Sequence, residues 1–133
     1  TERRYQNLLL NFTLVYPSDL TVREYDDGTS AATITFEDGV GKHGFQIFVV
    51  PYQGDTITPE QWRKDLPSGV IVEQTEVMID GARAIAFSST DALMGATREY
   101  WFIHGGFLYD INTYQALDTW LWDILRTWRF SSV

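Results

Sequence analysis

Apolar residues fall at alternate positions along most of this chain, and the spacing turns helical in two places. Residues 11–16 place Phe12, Leu14 and Tyr16 on one side, the period of a half-buried strand. The Pro17-Ser18-Asp19 break ends it. Residues 20–25 and 31–36 read as the next two strands, divided by the Asp26-Asp27-Gly28 turn and closed by Glu37-Asp38-Gly39. Residues 45–50 are nearly all apolar, which predicts a strand inside the sheet. Residues 70–79, 83–89, 97–104 and 107–114 then form a meander, with Asp80-Gly81 and Gly105-Gly106 as tight turns. A tight turn at Gly105-Gly106 sets Glu99 opposite Asn112 and Trp101 opposite Asp110. Glu99, Trp101 and Ile103 then share one face with Leu108, Asp110 and Asn112. Arg98, Tyr100 and Phe102 share the other with Phe107, Tyr109 and Ile111.

The first helical signal is Thr58-Pro59-Glu60-Gln61, with a capping hydroxyl, a proline at the first helical position and a glutamine three residues after the cap. Trp62 and Leu66 sit four apart on one side, and Pro67-Ser68-Gly69 stops the helix after about two turns. The second helix is predicted over residues 117–128, where Leu117, Trp120, Leu121, Ile124, Leu125 and Trp128 form an apolar stripe and Trp122 falls off it. Residues 1–10 are expected to be a short helix or a tail. Strand runs interrupted by helices at few points argue for an α+β domain over residues 11–133. The expected form is a single antiparallel sheet of about six to seven strands flanked by helices.

Composition narrows the functional classes. Ten basic residues stand against 18 acidic ones, a net charge of −8, and the basic residues are scattered. That field repels a phosphate backbone and anionic headgroups, which argues against nucleic acid and against direct attachment to acidic membranes. The absence of cysteine removes disulfides, thiol nucleophiles and thiolate metal sites. Aromatic residues make up 15% of the chain, a share that rings packed between a sheet and its helices account for without a ligand.

Candidate chemistry is sparse. His43 and His104 are the two imidazoles, each at a strand end beside glycine, and their spacing matches no metal motif. A hydrolase-like or metal-dependent site would have to combine His43, His104 and nearby carboxylates. The pairs Asp26-Asp27 and Glu37-Asp38 sit in turns, where Asp is locally favoured, and Asp118 sits in a first helical turn, where its charge suits the dipole. No G-x-S-x-G elbow surrounds Ser88 or Ser89. The polar cluster that stands out is Glu99, Trp101 and Asp110 with Asn112. Its face is either a ligand surface or a sheet face that water or the other helix covers. Trp122 is the second binding candidate, as an indole available to a partner. These readings predict a non-catalytic domain with no cofactor and no metal site, recognising a protein or small molecule, as a monomer or weak oligomer.

Three stretches resemble the PsbP-like superfamily, which includes extrinsic photosystem II proteins, a eukaryotic Ran-binding relative and bacterial lipoproteins or periplasmic proteins. Phe12-Thr13-Leu14-Val15-Tyr16-Pro17 looks like the opening strand and proline of those domains. Val77-Met78-Ile79-Asp80-Gly81 with Ala84 looks like their middle hairpin. Residues 109–130, through Leu121, Ile124-Leu125 and Thr127-Trp128-Arg129-Phe130, look like their closing helix and strand. Asp19-Leu20 stands where members often have Gly-Trp, and Thr127-Trp128-Arg129-Phe130 where they often end Ser-Phe-x-Phe. The resemblance implies an α/β/α sandwich and an accessory role outside the cytoplasm, and it carries no binding residue across. The chain opens at Thr1 without an initiator Met, so a signal peptide or lipid-anchor cysteine removed upstream is expected, with the membrane reached only through that anchor.

Overall fold

A computed structural model describes residues 1–131 apart from 27, 29 and 67. The parts of the expected turn and helix stop that rest on Asp27 and Pro67 therefore lie outside the described residues, as does Ser132. Among the described residues, ten strands and two α-helices follow one another. They are β1 (Glu2–Asn7), β2 (Phe12–Pro17), β3 (Thr21–Asp26), β4 (Ala32–Glu37), β5 (Gly44–Pro51), α1 (Pro59–Asp65), β6 (Val72–Ile79), β7 (Ala82–Asp91), β8 (Gly95–His104), β9 (Phe107–Tyr114), α2 (Asp118–Leu125) and β10 (Arg129–Phe130).

Seven strands form one sheet in the order β3-β4-β5-β9-β8-β7-β6, with every pairing antiparallel. The fold class is the expected α+β. β5 lies inside the sheet, with β9 at its centre, because the return from β5 to β9 skips over the hairpins built by β6, β7 and β8. The β8–β9 register is the expected one: Glu99 faces Asn112 and Trp101 faces Asp110.

Three expectations change. The chain holds a second sheet of three strands, β1-β2-β10, beside the large one. Residues 1–10 are neither helix nor tail: Glu2–Asn7 pairs with β2, and Tyr5, its one buried side chain, packs edge-on to Phe36 at 5.4 Å. The closing helix is shorter than its stripe, because a 3-10 turn over Gln115–Leu117 precedes α2 and the chain leaves the helix after Leu125. Trp128 therefore reaches the core from the turn that follows. There it stacks on Phe12 with centroids 4.1 Å apart and planes 8° apart. Thr127 pins that turn by donating to the carbonyl of Ile124 at 2.6 Å and accepting from the amide of Val15 at 2.8 Å.

The small sheet and α2 cover one face of the large sheet, and α1 covers part of the other. The first interface holds the main core, including Phe12, Leu14, Phe36, Ile47, Tyr109, Leu121 and Trp128. The second holds Tyr52, Leu66, Phe87, Trp101 and Leu108. α1 begins as its sequence signal requires, with Thr58 Oγ1 accepting from the amide of Gln61 at 3.2 Å. At seven residues it spans only about 10 Å, too little to roof the whole face.

Candidate functional site

On the α1 face, side chains line up in rows set by strand register. The row Val50–Leu108–Ile103 is apolar. The next row runs Phe48–Asp110–Trp101–Ile85, and the one beyond it Gln46–Asn112–Glu99–Phe87. α1 sits over the apolar end, where Trp62 stacks on Trp101 at 4.3 Å. The polar end extends past the helix, and an open depression of about 600 Å³ lies over it. Asp65, Leu66 and Ser68 form one wall and Thr90 to Met94, the β7–β8 hairpin, the other. A more open hollow of about 700 Å³ lies near His104, and it gathers no comparable set of buried polar groups.

The floor is a fixed hydrogen-bond network. Trp101 Nε1 donates to Glu99 Oε1 at 2.9 Å, and Thr97 Oγ1 donates to Glu99 Oε2 at 3.0 Å. Asp110 is hydrogen-bonded to Glu99 as well. Asn112 Nδ2 donates to Asp110 Oδ1 at 3.4 Å. Glu99, Asp110 and Asn112 are 6%, 8% and 9% exposed. Burial holds the Asp110 carboxyl well above its ordinary 3.8, and the charge of Glu99 and the hydrogen bond to it push the same way. Two carboxyls this close oppose each other's ionisation, which is the direction in which Asp110 is moved. On the rim, Asp65 accepts from Gln61 Nε2, while Asp91 accepts from the amides of Leu93 and Met94 at 2.8 and 3.0 Å. Those two amides lower the Asp91 carboxyl.

The candidates from the sequence divide. Glu99 and Asp110 meet as the register requires. Trp101 does not offer a ring to a partner: it is fully buried beneath Trp62, and its contribution is the indole N–H that fixes Glu99. Trp122 is half-buried on the opposite face, packed against the core and stacked with Tyr100 at 5.8 Å. Tyr100 also donates to Asp118, whose Oδ1 lies 3.4 Å from Arg98 Nε. Burial followed by the Asp118 bond raises the Tyr100 phenol beyond its usual range.

His43 and His104 do not share a site. They flank opposite ends of the eight-residue β5 and its neighbours, more than about 20 Å apart at strand rise. His43 Nδ1 lies 3.6 Å from Asp38 Oδ2, and its ring packs near Trp120. His104 stacks on Phe130 at 3.6 Å, where burial lowers its basicity against the smaller pull of Asp80. Among the described residues, no group of three His, Asp or Glu is arranged to hold a metal ion.

Residues overlooked in the sequence complete the floor. Thr97 follows a loop and carries no motif. Gln46, however, is the one polar residue in the apolar 45–50 run, and it pairs with Asn112 in the sheet. A lone amide inside a buried strand is a legible sign of a polar row.

No family model matches the chain, and no curated protein matches it. Among solved structures, it is similar to the solution structure of cyanobacterial PsbP (CyanoP) from Synechocystis sp. PCC 6803, at 9% identity and a TM-score of 0.68, covering 98% of this chain and 92% of that one. With so few residues in common, the likeness lies in the backbone course: the chain has the PsbP-like fold.

Proposed function

We propose that this chain is a non-catalytic binding or accessory domain, with the depression between α1 and the β7–β8 hairpin as its recognition site. The observation that carries this reading is the floor. Three buried polar side chains face an open depression, and donors two residues away on the same strand hold Glu99 and Asp110 in place. Both oxygens of Glu99 already accept from protein donors, an arrangement that suits preorganised recognition better than proton transfer to a substrate. Polar groups converging in a concave site are the usual ground for a binding assignment. The PsbP-like fold is compatible with an accessory role. We extend the proposal to location: the domain works outside the cytoplasm, tethered in the full-length protein.

A thermal-shift screen of small metabolites and short peptides tests the site, run on the wild type and on Gln46→Trp, which fills the depression from β5. Compounds that raise the melting temperature of the wild type but not of the variant are the expected result. A screen in which every stabilising compound acts equally on both proteins removes the depression from the proposal. Fractionation of cells expressing the tagged full-length protein tests location, and recovery only in the cytoplasmic fraction defeats that part.

A further inference from the structure

At the end of the molecule away from the β7–β8 hairpin, the turn between β1 and β2 leaves Leu8 and Leu9 77% and 87% exposed, and Tyr25 on β3 stands 53% exposed. The turn is held in place. Asn7 Oδ1 accepts from the Leu10 amide at 2.9 Å, and Asn7 Nδ2 donates to Tyr5 Oη at 3.0 Å. Tyr5 in turn donates to Glu24, which ties the turn to β3. The leucines border a hollow of about 770 Å³ that reaches in to Ile34, Val49 and Phe107. Among the described residues, its only charged side chains are Glu24 and Asp26, both acidic. They sit two apart on β3 and so share one face of it, while Arg23 and Tyr25 take the other. A second observation concerns the backbone. β3 ends the seven-stranded sheet, so one of its sides has no strand beside it, and its six residues pair with β4 without a break. The opposite edge, β6, is interrupted by a register shift between Val72 and Thr75, an irregularity that hinders strand addition.

We propose that β3 takes up an extended segment of a partner protein as an added strand, one in which basic and apolar residues alternate. This surface is separate from the depression beside α1 and does not rest on it. Backbone pairing along the regular edge supplies affinity, and side chains at alternate positions supply choice. On the face of Glu24 and Asp26, lysines or arginines of the segment meet the two carboxylates, and their stems lie along Leu8 and Leu9. On the other face, an apolar side chain packs on Tyr25. An acidic segment is excluded by the same pair, because like charges opposed across strands destabilise the pairing. A second copy of β3 centred on Glu24 sets that carboxylate against itself. Anionic headgroups are repelled in the same way.

Titration of the isotope-labelled whole chain with a doubly blocked Lys-Val-Lys-Val-Lys-Val peptide tests this, read by calorimetry and by amide chemical shifts. One saturable site is expected, with the largest shifts along β3 and the β1–β2 turn. Two control peptides should bind about ten-fold more weakly: one with Glu in place of Lys, and one N-methylated at every residue, which cannot donate to a strand edge. The double variants Leu8→Ser with Leu9→Ser, and Glu24→Gln with Asp26→Asn, change exposed side chains and should fold, which circular dichroism checks. Each should weaken the lysine peptide by about five-fold or more. Gln46→Trp, which fills the depression on the far face, should bind it as the wild type does. Equal binding of the N-methylated peptide, binding unchanged in either double variant, shifts centred on the depression, or no binding at all overturns the proposal. So does pelleting of the wild type with neutral phosphatidylcholine vesicles that Leu8→Ser with Leu9→Ser abolishes, which assigns the turn to a lipid surface. A dimer in sedimentation that the same variant dissociates assigns the surface to a second copy and overturns it equally.

Discussion

The two faces of the seven-stranded sheet are built from the same strands and are closed differently. One is sealed by a second sheet, a helix and the Trp128 turn, and rings meet edge-on across it: Phe12 on Tyr109, Tyr16 on Phe36, Trp128 on Phe102. The other is roofed by a seven-residue helix that covers its apolar end and leaves a polar end beside water. Sealing favours uniform hydrocarbon, because a polar group there has no partner to replace water. Partial roofing permits buried polar side chains, provided they satisfy one another. The site is therefore where the cover stops.

The largest effect expected from this contrast comes from breaking the sealed face. Trp128→Ala removes a fully buried indole that touches Phe12, Phe102 and Tyr109, and should cost about 3–5 kcal/mol in urea unfolding. An effect below about 1 kcal/mol would show that the turn after α2 closes nothing. On the roofed face, Trp62→Ala should cost less, about 2 kcal/mol, because that ring is only partly buried. It should also expose Trp101 to quenching by acrylamide. If the two losses are equal, the faces are not different in the way the packing implies.

Asp110 distinguishes the faces by sign rather than size. Its folded pKa is raised well above 3.8, so between that value and the folded pKa the native state binds a proton that the unfolded chain has released. Its contribution is thus fully present below about pH 3.8 and is lost as pH rises through the folded pKa. Asp110→Asn, which cannot ionise, should be near neutral in acid and progressively more stabilising relative to the wild type toward alkaline pH. Parallel stability–pH curves for the two proteins would mean that Asp110 is ionised in the fold.

Much of this contrast is legible along the chain. Alternation marks the strands, and the Gly105-Gly106 turn alone is enough to put Glu99 beside Asn112, since a two-residue turn leaves little choice of register. The α1 cap is equally local, carried by Thr58 and Gln61. What cannot be read is tertiary. Trp101 looks like an available ring until Trp62, from a helix distant in sequence, lies over it. Glu2–Asn7 has no strong strand period, since Tyr5 is its one buried residue, and its state is decided by pairing with β2. Trp128 fits a helical stripe so well that the helix end is invisible. The turn pinned by Thr127 keeps the side chain on the same side of the sheet without the helix.

The smallest effect concerns how far the roof extends. α1 has no buried residue within its seven, and Leu66, at its C-cap, anchors it to the sheet. A helix this short is not stable by itself and depends on its cap and on the contacts of Trp62 and Leu66. Thr58→Ala deletes the bond to the Gln61 amide and should cost about 1 kcal/mol, felt locally as fraying. Hydrogen exchange should quicken by up to about five-fold at the amides of Trp62 and Leu66, which donate to Thr58 and Trp62 carbonyls. Amides of the sealed face, such as those of Phe12 and Ile47, should not change. Equal acceleration on both faces would show that the roof and the seal unfold as one unit, and that the depression is no looser than the rest of the domain.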